Sequence, residues 1–126
     1  MSFSNYLENK ILGHVFGAVS YTAPATIYVG LYTSDPGETG AGTEVSGGSY
    51  ARQSVAFTVT GNLASNTSAV EFPTATGSWG TVTYVAVSDA LTGGNILGSA
   101  ALAASKVVSS GDVLRIPAGD LDISLD

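Results

Sequence analysis

A chain of 126 residues has room for one domain with a single two-layer core. Only 11% of it is charged against 44% hydrophobic, with 16 glycines and many Thr, Ser and Val, a balance that favours strands over helices. The formal charge of −6, with Lys10, Arg52, Lys106 and Arg115 scattered, argues against a nucleic-acid partner, and the lack of cysteine excludes disulfides, thiolate metal sites and cysteine nucleophiles.

The N-terminus, MSFSNYLENK, carries Glu8 and Lys10 where a secretion signal needs a basic start and an apolar run. No apolar stretch approaches the roughly 20 residues of a membrane span, so no membrane partner is expected. Residues Ser2 to Phe16 instead predict a helix, capped by Ser2 or Ser4 and stopped at Gly17. Phe3, Leu7, Ile11 and Val15 recur at four-residue spacing, flanked by Leu12 and Phe16, and form one apolar stripe. That stripe either covers the end of its own core or packs on a neighbouring subunit. In the second case Phe3, Tyr6, Leu7, Ile11, Val15 and Phe16 are the expected partner interface.

From residue 22 the periodicity becomes that of strands. Thr26 to Thr33 reads as a strand in which Gly30 marks a bulge or a close approach, ended by the turn Asp35-Pro36-Gly37. Residues Gly37 to Ser49, with five glycines and two glutamates, read as a long mobile loop. Tyr50 to Thr60 alternates with Val55, Phe57 and Val59 on one face, and Gly61-Asn62 breaks it. Ala69 to Phe72 and Thr81 to Ser88 follow, joined by a Pro73-to-Gly80 corner that holds the one tryptophan, Trp79. Val85-Ala86-Val87 has no polar break and is expected to be covered on both faces. Gly93-Gly94 supplies a tight hairpin into a return strand, Ile96 to Leu102. After a turn at Ser109-Ser110-Gly111 come a short strand at Val113, Leu114 and Ile116, then Asp120 to Asp126, with Leu121, Ile123 and Leu125 inward. The sum is one domain over residues 1–126: a mainly β, antiparallel sandwich of jelly-roll or immunoglobulin-like type over residues 22–126, with about seven strands. One N-terminal α-helix over residues 1–17 precedes it.

Chemistry has few candidates. His14 is the single histidine and reads as an exposed residue favoured by the helix C-terminus. Asp120 and Asp122 share a strand face, with Asp126 beyond, as a solvated outer face would also have them; no metal-ligand spacing supports a cation. Gly40-Ala41-Gly42 lacks the third glycine and the following helix of a nucleotide cradle. Asn66-Thr67-Ser68 matches a glycosylation pattern that has no meaning without export. Trp79 could stack on a sugar but reads as a corner residue. No catalytic residue, metal, cofactor or small-molecule substrate is expected.

The phrases SFSNYLENKIL, YTAPATIYVGLYTSDPG, GGSYARQSVAF, FPTATGSWGTVTYVAVSDA, GGNILGSAAL and GDVLRIPAGDLDISL resemble a set of small tailed-bacteriophage proteins across nearly the whole chain. The resemblance implies a virion structural protein made in the bacterial host cytoplasm. Within the virion, the stand-alone length favours a capsid decoration (cement) protein on the capsid exterior, homotrimeric and bound to the major capsid protein. The alternative is a tail-fibre or receptor-binding module that contacts host polysaccharide, through Trp79 or Tyr84.

Overall fold

The computed structural model describes residues 1–125; the expectation for Asp126 lies outside them. Its elements are β1 (Ser2–Phe3), α1 (Asn5–Phe16), β2 (Ile27–Tyr32), β3 (Gln53–Val55), β4 (Phe57–Thr60), β5 (Leu63–Asn66), β6 (Val70–Glu71), β7 (Gly80–Ser88), β8 (Ile96–Val108), β9 (Arg115–Ile116) and β10 (Asp122–Ser124). They form an antiparallel five-stranded sheet in the order β1-β8-β7-β2-β3, a three-stranded sheet β10-β5-β4 and a ribbon β6-β9. The mainly β, antiparallel architecture with a single helix is as expected.

The centre is the pairing of β2 with β7. Val29 lies opposite Val87 and Leu31 opposite Val85, all four buried on one face. On the other face Gly30 is opposite Ala86, so the strand pair is covered on both sides, as the unbroken Val85-Ala86-Val87 run implies. Val82 of β7 adds to the core, and Phe72, Trp79, Val45 and Leu121 close it from the connecting loops.

Trp79 is a core residue. Its indole N–H donates to the Gly48 carbonyl (2.9 Å), and its ring stands edge-on to Tyr50 and to Phe72, with centroids 5.4 and 6.5 Å away. A buried indole needs such an acceptor, and here the acceptor comes from the glycine-rich loop. Sugar stacking by this ring is thereby overturned: Trp79 is only 4% exposed.

Several predicted boundaries move, each for a physical reason. Ser2–Phe3 is not helix: it pairs with Ser99 and Gly98 at the edge of the large sheet, and the helix begins after the cap Ser4. The alternating run from Tyr50 is two strands. β3 pairs with β2, β4 pairs with β5, and the chain changes sheets at Ala56, a change that unbroken alternation does not reveal. The return strand continues past Leu102 to Val108 across a large bulge, because Val82 pairs with Lys106 while Tyr84 pairs with Ala101, leaving residues 102–105 opposite Thr83 alone. Leu125 does not face a covered core; it is exposed.

Asn66 is a staple. Its side-chain N–H groups donate to the Ser68 and Pro117 carbonyls (both 3.0 Å) and its side-chain oxygen accepts from the Leu121 N–H (2.9 Å), binding the 117–121 turn to β5.

Replacing the indole by a ring without a donor isolates the tryptophan's anchoring role. Trp79→Phe should lower the unfolding free energy by about 1–3 kcal/mol, read from the urea midpoint at unchanged m-value, since it removes the indole hydrogen bond to the Gly48 carbonyl, which keeps only the Thr76 N–H, and leaves space where the larger ring packed.

Candidate functional site: a polar clasp and an apolar helix end

Two places concentrate what this sequence has to offer beyond its core. The first is a cluster of Glu44, Tyr50 and Arg52 over Gly30. The first half of β2 pairs with β3, but its second half is bordered by the loop segment 43–45: the Thr33 N–H donates to the Thr43 carbonyl and the Val45 N–H to the Leu31 carbonyl, both 2.9 Å. Where the border changes, the Leu31 N–H has no strand partner and donates to the Tyr50 hydroxyl (2.9 Å). That hydroxyl in turn donates to Glu44 Oε2 (2.6 Å). Arg52 meets the same carboxylate with two prongs, Nε to Oε2 and its terminal nitrogen Nη2 to Oε1, both 2.8 Å. Its other terminal nitrogen, Nη1, donates to the Ala90 and Gly93 carbonyls (2.8 and 2.9 Å).

One guanidinium therefore ties the 37–49 loop to the β7–β8 hairpin, a planar two-pronged task that suits Arg and not Lys. The loop expected to be mobile is pinned at its centre, with Val45 in the core. Gly30 is the close approach its position suggested. A Cβ there would sit 2.9 Å from Glu44 Oε2 and 3.0 Å from the Tyr50 hydroxyl.

The electrostatics follow from this geometry. Burial by itself would raise the Glu44 pKa, but the hydrogen bonds from Arg52 and Tyr50 and the Arg52 charge outweigh it, and the net shift is downward. Burial, then the hydrogen bond to Glu44, pushes Tyr50 well above its ordinary range. The clasp borders an open cleft of about 410 Å³ with Asn5, Tyr6, Glu38 and Asn95 at its walls. Four Arg52 hydrogen bonds and both Glu44 oxygens are spent on the protein itself, so the arrangement is a fastening.

The second place is α1. Its N-terminal end is clamped: the Ser4 N–H donates to the Leu97 carbonyl (2.9 Å), its hydroxyl donates to the Ile96 carbonyl (2.6 Å) and accepts from the Leu7 N–H (3.1 Å), and the Asn5 N–H donates to the Glu38 carbonyl (3.0 Å). Of the expected interface residues, Phe3 lies in β1, Tyr6 and Leu7 pack half-buried on the core, and Ile11 is half-buried. Val15 and Phe16 are 62% and 80% exposed, and Leu12 beside them 57%. The stripe is thus divided, its first turn spent on the domain's own core and its last left in solvent. The chain then turns back, with the His14 Nδ1 3.3 Å from both the Tyr21 N–H and the Val19 carbonyl. His14 is occupied in that reversal.

A related feature lies on the small sheet, where two faces read separately from alternation become one. Phe57, Val59 and Ile123 share the inner face of the three-stranded sheet, since Val59 and Ile123 both lie opposite Ala64. Beyond the core this face continues uncovered, with Val59 71% and Leu125 56% exposed. Between it and α1 lies a pocket of about 190 Å³ whose walls include Phe3, Leu7, Ile27, Phe57, Leu97 and Ile123 and hold no charged side chain. Asp120 and Asp122 are on a different side, exposed beside the β8 bulge, and the Asp122 carboxylate accepts from the Ser65 hydroxyl.

A family model described as Podophage GP4 fiber I protein gp80 matches residues 2–124. The chain belongs to this family. It is a structural protein of a tailed-phage virion, as the resemblance of its sequence phrases implied. Among curated proteins none matches.

The clasp should give stability a pH dependence of definite sign. Because the folded-state pKa of Glu44 is lowered, its contribution is full above the ordinary carboxylate range and is lost as pH falls through the folded value. Thermal unfolding across pH should therefore show Glu44→Gln less stable than the parent at neutral pH, with the gap narrowing on acidification. Gly30→Ala should cost about 1–3 kcal/mol at neutral pH, because the new methyl displaces the carboxylate and the phenol.

Proposed function

We propose that the protein is a non-enzymatic building block of a virion fibre, working by burying apolar surface against other virion proteins. The observation that carries this is the far end of α1: Leu12, Val15 and Phe16 stand exposed on a helix whose other end is fixed to the sheet. Large apolar side chains grouped in this way mark contact sites. A 12-residue helix with Gly13 inside it is marginal without tertiary support, so a partner there would stabilise it as well. The choice of fibre over capsid rests on the word fiber in the family description. Decoration of the capsid exterior would use the same helix end against the major capsid protein.

Removal of residues 1–17 is not a clean way to test this, since Ser2–Phe3 is a strand of the main sheet and Ser4 a buried cap. Point changes at the helix end are. Phe16→Asp and Val15→Asp should leave far-UV circular dichroism and the unfolding midpoint unchanged while reducing incorporation into virions about ten-fold or more. Gold-labelled parent protein should appear on fibres at the tail. Label on the head surface instead would replace the fibre placement with decoration, and normal incorporation of both variants would remove the helix end from the account.

A further inference from the structure

The apolar pocket between α1 and the three-stranded sheet has the dimensions of a side-chain receptor. At about 190 Å³ it exceeds the roughly 150 Å³ of an apolar protein cavity that takes up benzene. Its walls come from four parts of the fold: Phe3 and Leu7 at the helix start, Tyr21 and Ile27 after the reversal, Leu97 of β8, and Phe57 with Ile123 of the small sheet. The chain also displays one large apolar knob of matching kind. Phe16 is the most exposed of the large hydrophobic residues and closes the last turn of α1, just before the chain reverses at Ala18 with φ 56. Nine residues separate Phe16 from the pocket wall at Leu7, a rise of about 13 Å along a helix, so a rigid α1 cannot fold its own phenyl ring back into the pocket.

We infer that the pocket is the receptor for Phe16 of a second copy of this chain. Leu12, Val15, Phe16 and Val19 leave on the order of 450 Å² of apolar surface, and Val59 and Leu125 beside the pocket add about 200 Å². In a reciprocal twofold pair each copy covers both surfaces, about 650 Å² against the ~800 Å² per partner of a standard specific interface. A head-to-tail junction covers only the knob of one copy and the pocket side of the other and is correspondingly weaker. Apolar contact also suits two chains that each carry a formal charge of −6, because neither knob nor pocket brings a charged side chain to the junction. Knob and pocket are different surfaces of one chain. Unless a twofold axis pairs them reciprocally, each added copy leaves a free knob and a free pocket, which builds a ring or a filament. The choice of a second copy rests on the fibre reading, in which copies repeat; the pocket and the knob do not.

Sedimentation of the parent protein over micromolar to millimolar concentration should show self-association, weakened about 30-fold or more by Phe16→Ala. The pocket is read directly by methyl resonances. Protein carrying Phe16→Ala, labelled at Ile, Leu and Val methyls, should show ring-current shifts at Ile27, Leu97 and Ile123 when unlabelled parent is added. Unlabelled Phe16→Ala protein should produce none. A parent that stays monomeric, equal association by Phe16→Ala, or methyls that do not move would each overturn the inference. The labelling of virions above would still decide the fibre reading separately.

Discussion

Glu44 held between Arg52 and Tyr50 is the interaction on which the order of the rest depends. Without it the loop beside the second half of β2 would be held only by the backbone bonds of Thr43 and Val45 and by Val45 in the core, and the Tyr50 hydroxyl that accepts the Leu31 N–H would lose the carboxylate that orients it. With it, the guanidinium of Arg52, just before β3, joins the Glu44 carboxylate of the 43–45 border to the Ala90 and Gly93 carbonyls of the 89–95 hairpin. The absence of a side chain at residue 30 is what leaves room for the cluster. The energy in such a pair is modest where solvent reaches it, and Glu44 is a quarter exposed. Its larger contribution is geometric, because it selects one position for a loop that composition alone would leave free.

That fixed frame decides which surfaces remain for contact. Ser4 locks the start of α1 to β8, so Tyr6 and Leu7 are held on the core. The axis of the helix then carries Leu12, Val15 and Phe16 outward. The small sheet, stapled to the 117–121 turn by Asn66, likewise extends past the core with Val59 and Leu125 uncovered. Apolar surface reaches solvent here as the ends of rigid elements, which lowers the ordering cost of binding.

Much of the fold was legible in the sequence because local signals agreed. The strands that became β2 and β7, the covered Val85-Ala86-Val87 run, the hairpin at Gly93-Gly94 and the tryptophan corner all announce themselves through periodicity and turn residues, whereas the pairing of β2 with β7 does not. The failures share a cause, which is that sheet membership is non-local. Residues 53–60 alternate without interruption although they serve two sheets, and Ser2–Phe3 looks helical until the β8 edge is there to receive it. The clasp was invisible for the same reason. Glu44 sits in a glycine-rich loop, Arg52 looks like an isolated cation, and only the fold brings them within 2.8 Å. Of the expected stripe, Leu7, Ile11 and Val15 lie on the helix and Phe3 does not, and nothing in the spacing tells where the domain's own core stops using it. The exposure of Leu12, Val59 and Leu125 shows only in the folded structure.

The central claim is that this protein works by covering the far end of its helix and the pocket beside it. Hydrogen–deuterium exchange of the free protein against the same protein in assembled virions addresses it most directly. Free protein should exchange fastest within the last turns of α1 and slowest in β2 and β7, where the core is densest. In virions, residues 11–19 and the pocket segments 21–27 and 121–125 should slow markedly, with β2 and β7 unchanged. Equal exchange of residues 11–19 in both states, with new protection elsewhere, would contradict the account.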